Sequence, residues 1–134
     1  MMPQGSEPAN IRILVVDDEA IIAFHLAQEL RKEGFAVVGP APSVAKALAL
    51  IKQNGCDFAI LDIRLGQGTA EPIARELAAR GVPYVLATGY VHEQLPSIFQ
   101  DVPLFTKPIS IKGLASEMRR RLISHRSPAI GGMC

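Results

Sequence analysis

Four polar outcrops end short apolar runs of the chain: Asp17-Asp18-Glu19, Asp62, Thr88 and Lys107. Adjacent carboxylates repel, and at about 4 Å with an effective dielectric near 20 each like-charge pair costs roughly 4 kcal/mol. A solvated turn would relieve that, and a lone acid at a strand end is more often a helix cap than a reactive group. Acids, a hydroxyl and an ammonium on four separate runs point instead to a site assembled by the fold, with a cation offsetting the charge. Oxygen ligands without His or Cys suit Mg²⁺, which takes one or two carboxylates and keeps waters that a phosphate can displace. On this chemistry Asp18 and Asp62 hold Mg²⁺, Asp17 joins directly or through water, and the Arg64 backbone carbonyl completes the set. Asp62 is then a carboxylate nucleophile able to form an aspartyl phosphate. Lys107 pairs with one phosphoryl oxygen and the Thr88 hydroxyl donates to another, because phosphoryl transfer asks mainly for in-line positioning and charge neutralisation. Glu19 reads as the start of a helix, favoured by its dipole.

The elements that must position these groups follow from the hydrophobic pattern. Residues 11–16, nearly all Ile, Leu and Val, predict a strand covered on both faces. Residues 19–34 predict a helix with Ile22, Leu26 and Leu30 on its apolar face and Gly34 as its stop. Residues 35–39 are a second strand, and Ser43 caps a helix that Gly55 ends. Residues 57–61 form a third strand, followed by a Gly-containing loop, Thr69 as a cap, and a helix with Pro72 in its first turn. Residues 83–88 and 103–107 are the fourth and fifth strands, and a final helix begins near Ser110. Pro96 interrupts the stretch between them, so a fourth helix there should be short, late-starting and marginal. Phe24 and Phe35 read as core, and His25 as a structural or surface residue. Strand–helix alternation predicts an α/β, doubly wound (βα)5 fold with a five-stranded parallel sheet and right-handed crossovers. Ligands of such sheets sit beyond the carboxyl ends of the strands, where all the polar outcrops fall.

Composition narrows the classes. A chain of 134 residues that is 49% hydrophobic suits one domain with a filled core. The expected organisation is a flexible N-terminus over residues 1–10, a domain over 11–124 and a flexible tail over 125–134. A net charge of +1 does not advertise a nucleic-acid surface, and the basic run Arg119 to Arg121 reads as a solvated helix end. The two cysteines, Cys56 and Cys134, lack zinc-site or disulfide-framework spacing. No apolar run is long enough to span a membrane and no signal peptide is visible, so the expected location is cytoplasmic.

The motifs "VVDDE", "LDIRL" around Asp62, "ATG" around Thr88 and "KP" at Lys107–Pro108, in this order, resemble a response-regulator receiver domain over residues 11–124. The resemblance implies a flavodoxin-like receiver fold and a cis Lys107–Pro108 peptide. It implies phosphorylation of Asp62 by a phosphohistidine on a sensor histidine kinase or histidine phosphotransfer protein, and Mg²⁺-dependent hydrolysis. Partners are expected on the fourth helix, fifth strand and final helix, with no nucleic-acid or membrane contact and with no output domain following. Gly66 stands where many receivers have Pro, and Leu104 where many have a switching Tyr or Phe. "YVLATGY" and "DIRLGQG" are similar to a receiver subgroup with a Phe-Ala-Thr-Gly-like fourth strand and no fifth-strand aromatic, Leu86 here replacing the Phe. Two other classes use related parts. An aspartate-nucleophile phosphatase would place an Asp-x-Asp pair on one strand, which this chain does not, and a phosphorylation-independent receiver-like module would usually have gaps in the polar set.

Overall fold

The computed structural model describes residues 11–89 and 95–131, with side chains described as far as residue 122. In chain order the elements are β1 (Arg12–Val16), α1 (Ala20–Lys32), β2 (Ala36–Ala41), α2 (Val44–Asn54) and β3 (Phe58–Asp62). A small antiparallel hairpin, β4 (Arg64–Leu65) and β5 (Gly68–Thr69), precedes α3 (Glu71–Ala79) and β6 (Tyr84–Thr88). A 3-10 turn (Ser97–Phe99), β7 (Leu104–Thr106) and α4 (Ile111–Gly131) complete the chain. The main sheet has five strands in the order β2-β1-β3-β6-β7, all parallel. The order reverses beside β1, so a crevice opens beyond the carboxyl ends of β1 and β3, where doubly wound sheets take ligands.

Strand alternation divides the core. Ile13, Val15, Phe58, Ile60, Val85 and Ala87 turn toward α1 and α4, where they meet Leu30, Leu114 and Met118. Leu14, Val16, Ala59, Leu61 and Leu86 turn the other way, onto Ile51, Ile73 and Leu77 of α2 and α3. Both faces are apolar because helices cover both, the arrangement that the unbroken apolar runs predict. Each large side chain so buried contributes about 1.5–3 kcal/mol. At the edge away from the polar outcrops, Arg12 ties β1 to the start of β3. Its amide donates to Asp57 Oδ2 at 2.8 Å and its guanidinium donates to both Asp57 oxygens at 3.3 Å and to the Asn54 carbonyl at 2.7 Å. Cys56 is buried beside this cluster, and burial pushes its thiol up to about 11.

The local signals act largely as the residues suggest. Ser43 Oγ accepts from the Lys46 amide at 3.2 Å, and Gly55 closes α2 with φ of 71°. Ala70, rather than Thr69, occupies the cap position of α3, yet the Thr69 hydroxyl still accepts from the Glu71 amide at 3.3 Å. Two expectations for α1 are corrected. Its buried stripe is Ala23, Ala27 and Leu30, whereas Ile22 lies at the rim and Phe24 is 56% exposed, so Phe24 is not core. The helical period is the one expected, but the small alanines take the sheet-facing positions and turn the larger side chains outward.

The fourth crossover shows, among the described residues, the single 3-10 turn that follows Pro96. Residues 90–94, where the expected helix would start late, lie outside the described residues, as do residues 1–10. The helical backbone of α4 continues to Gly131, past the expected boundary at residue 124 and into the stretch read as a tail. No Gly or Pro stands between Gly113 and Pro128 to stop it. Arg120 and Arg121 both pair with Glu117, consistent with a solvated face for the basic run.

Two substitutions on α1 should separate its faces. Leu30→Ala, at a side chain with no exposed surface, should cost about 2–5 kcal/mol in urea unfolding. Phe24→Ala should stay within about 0.5 kcal/mol of the native chain. Equal losses would contradict the observed phase of the helix.

Candidate functional site

Parallel register brings the polar outcrops together. Asp17 and Asp18 follow β1, Asp62 ends β3, Thr88 ends β6 and Lys107 follows β7. Val16 pairs with Leu61, Asp62 with Ala87, and Thr88 with Thr106, so the strands finish almost level. The Lys107 amide donates to the Thr88 carbonyl at 2.9 Å, which extends the ladder by one residue beyond β7. The Lys107–Pro108 peptide is cis, as the resemblance implied.

Lys107 Nζ lies 2.8 Å from Asp17 Oδ2, 3.1 Å from Asp62 Oδ2 and 3.5 Å from Glu19 Oε1. Its side chain is 11% exposed, so water screens these contacts little. Burial works against the charge on Lys107, but hydrogen bonds to Asp17 and Asp62 prevail and hold its ammonium above the usual lysine range. Burial also pushes the Asp62 carboxyl up, to about 6, and the neighbouring charge of Asp17 adds to the push, while the hydrogen bond from Lys107 pulls the other way. Asp17 is spoken for at both oxygens, since its Oδ1 accepts from the Glu19 amide at 2.9 Å. Asp18 is exposed and its Oδ2 accepts from the Gly66 amide at 2.8 Å. Thr88 is buried at the end of β6.

Each of Asp17, Asp18 and Asp62 offers an oxygen within 4.8 Å of the others. Three clustered carboxylates with one resident ammonium leave excess negative charge, and an all-oxygen donor set fits a hard divalent cation such as Mg²⁺. Sequence reasoning missed two contributors. Glu19 does start α1, occupying its cap position, but its carboxylate also reaches Lys107. Gly66 enters through a backbone N–H, which residue type does not advertise. The adjacent spacing "LGQG" was the available signal, because a glycine opening a two-residue turn marks a hairpin.

Beside the site, α1 stands as a ridge with Ile21 77% exposed. On one side a cavity of about 320 Å³ opens between α1 and the β7–α4 connection, lined by Asp17, Ile21, His25, Leu26, Lys107 and Ile109. On the other side, Phe24, Pro40 and Pro42 border a shallower hollow that also reaches Asp17. Leu104 on β7 is 39% exposed, whereas Phe105 turns into the α1–α4 side of the core. Among the described residues no helix is long and apolar enough to cross a membrane.

Residues 13–102 match the response regulator receiver domain family. The transcriptional regulatory protein PdtaR of Mycobacterium tuberculosis is 31% identical over 77% of this chain and 52% of its own length. The chain thus spans about half the length of the curated relatives it matches. Among solved structures, SdrG from Sphingomonas melonis Fr1 is 38% identical with a TM-score of 0.72, covering 84% of this chain and 96% of that one. The response regulator protein TrrA from Thermotoga maritima, solved in complex with Mg²⁺ and BeF, is 26% identical with a TM-score of 0.71, covering 83% and 98%. With the five-stranded parallel sheet and the acidic pocket at its carboxyl edge, these matches place the chain in the response regulator receiver family. It is a receiver domain of two-component signalling.

The electrostatics of Asp62 yield a pH prediction. In the metal-free protein the folded state holds the Asp62 proton more tightly than an ordinary carboxyl at 3.8 does, up to about 6. Ionisation therefore costs stability as pH rises through that window, and the cost is complete above it. Asp62→Asn has no proton to lose. In chelator it should exceed the native chain at pH 7.5 by on the order of 1 kcal/mol, and the difference should vanish near pH 4. A difference independent of pH would contradict this.

Proposed function

We propose that Asp62 accepts a phosphoryl group from a phosphohistidine on a sensor histidine kinase or a histidine phosphotransfer protein. The single observation that supports this most is the Lys107 ammonium 3.1 Å from Asp62 Oδ2 inside the acidic cluster. A phosphoryl oxygen carried on Asp62 falls within reach of a cation already in place. An Asp62 oxygen attacks phosphorus in line, the P–N bond breaks, and its electron pair returns to the imidazole of the donor. Hydrolysis of the acyl phosphate by water later restores the carboxylate. Asp17, Asp18, Asp62 and the Arg64 carbonyl would hold Mg²⁺, which when bound would supply neutralising charge to the phosphoryl oxygens. Lys107 binds one of those oxygens, and Thr88, already at the end of β6, donates to another. The chain acts as a phosphoacceptor with self-catalysed phosphorylation and dephosphorylation, at home in the cytoplasm where its donors act. That TrrA was solved in complex with Mg²⁺ and BeF supports a Mg²⁺-dependent reading.

The finer assignment is to the receiver subgroup without an aromatic switch. Leu104 stands at the switch position, 39% exposed and with no ring to rotate. The phosphodonor docks over the α1 ridge, because Ile21, Ile22 and Phe24 are the large exposed apolar side chains of α1, beside the hollows that reach Asp17. Leu104 marks a second apolar point, on the fifth strand, for a downstream protein.

Acetyl phosphate with Mg²⁺ should add one phosphate to the native chain by intact mass, and none to Asp62→Ala. Chelation should abolish labelling, and a phosphate on the variant would refute the assignment. Ile21→Glu with Phe24→Glu should slow transfer from phosphorylated histidine phosphotransfer proteins by about tenfold or more, if the two side chains form an interface centre. Labelling by acetyl phosphate should remain unchanged. Equal slowing of both reactions would place the effect in the chemistry and not in docking.

A further inference from the structure

We infer that Gly66 is a positioning residue, whose backbone N–H holds Asp18 in the orientation in which it serves the metal. This rests on the Mg²⁺ reading above and adds to it a group outside the acidic set. Asp18 is exposed, and an exposed aspartate is free to sample its rotamers unless a partner fixes it. Its Oδ2 accepts from the Gly66 amide at 2.8 Å, across 48 residues of sequence. A carboxylate can accept a hydrogen bond at one oxygen while ligating a cation, and such outer partners orient metal ligands.

The hairpin explains why that amide is available. Arg64 pairs with Thr69 and Leu65 with Gly68, which leaves Gly66 and Gln67 as the two turn residues. Gly66 has φ of 61° and no non-glycine residue among those described has a positive φ. Positive φ at the first turn position alone is the type II′ pattern, which calls for glycine there. The ladder closing such a hairpin joins the residues flanking the turn, so the Gly66 N–H is left for an acceptor outside it. The hairpin itself is fastened to the end of β3 by buried Leu65 and by the Ala70 amide, which donates to the Ile63 carbonyl at 2.9 Å. The donor for Asp18 is thereby built onto the strand that carries Asp62. Proline at this position would have no N–H to give and could not adopt this φ.

Mg²⁺ titration calorimetry on the full chain, with Gly66→Pro and Gly66→Asn, tests the assignment. Asn keeps the N–H and is among the side chains that best tolerate positive φ, and since a Cβ at position 66 meets nothing within 4 Å, its strain is confined to the turn backbone. Gly66→Asn should bind Mg²⁺ within about twofold of the native chain, and Gly66→Pro roughly 10–100-fold more weakly. Independently of any variant at position 66, nuclear magnetic resonance should find the Gly66 amide of the metal-free native chain protected from hydrogen exchange, and the protection lost in Asp18→Ala. That measurement decides the matter if Gly66→Pro does not fold. Native affinity in Gly66→Pro, equal weakening in both Gly66 variants, or an unprotected amide overturns the inference while leaving the metal site intact. A native chain that binds no Mg²⁺ overturns both.

Discussion

A lysine ammonium wedged between two buried carboxylates, those of Asp17 and Asp62, is the contact on which this molecule is organised. Three different strands contribute to it, so it exists only when the sheet is assembled in the right order. It balances a cluster that is otherwise too negative to close, yet it leaves the balance incomplete. Removing Lys107 would strand both carboxylates, whereas removing Asp62 leaves the ammonium its partner in Asp17. Three carboxylates against one ammonium leave the site short of positive charge, which a divalent cation would supply. The same partial neutralisation accounts for a carboxyl at Asp62 that burial lifts and Lys107 restrains.

The scaffold's contribution is alignment. At one edge Arg12 and Asp57 fix β1 against β3, and the register that follows sets Val16 opposite Leu61 at the other edge. An error of one residue would turn Leu14 and Val16 to the wrong face of the sheet. The two apolar layers therefore enforce the placement of Asp17, Asp18 and Asp62 as firmly as any polar contact does. The small hairpin after β3 continues that logic, since it starts from the strand end bearing Asp62 and reaches back to Asp18, which follows the neighbouring strand.

How far the sequence foretold this differs from residue to residue. Asp17, Asp18, Asp62, Thr88 and Lys107 were legible because each ends an apolar run, and parallel strands covered on both faces must present such ends at one edge. Ser43 and Gly55 were legible because caps act locally. The face of α1 was not, since Ala23 and Ala27 carry little hydrophobic signal and became the buried stripe only through close approach to the sheet. Phe24 was misplaced for the same reason. The extent of α4 was not legible either, because arginines and serines neither demand nor forbid another helical turn. Gly66 escaped notice as a partner of Asp18 because a main-chain amide is common to nearly every residue, and only the three-dimensional turn shows which one is left over.

The position of β7 has a wider consequence. It is a strand of three residues, Leu104–Thr106, at the end of the sheet order, hydrogen-bonded to β6 on one side. The ammonium at the centre of the charge cluster is therefore carried by the residue that follows an edge strand, the shortest of the five. Among the described residues no strand pairs with the other side of β7. A protein gripping that border would be joined to the charge cluster by a single peptide bond's length of chain, Thr106 to Lys107. Binding outside and charge rearrangement inside are then mechanically adjacent, with no long lever between them.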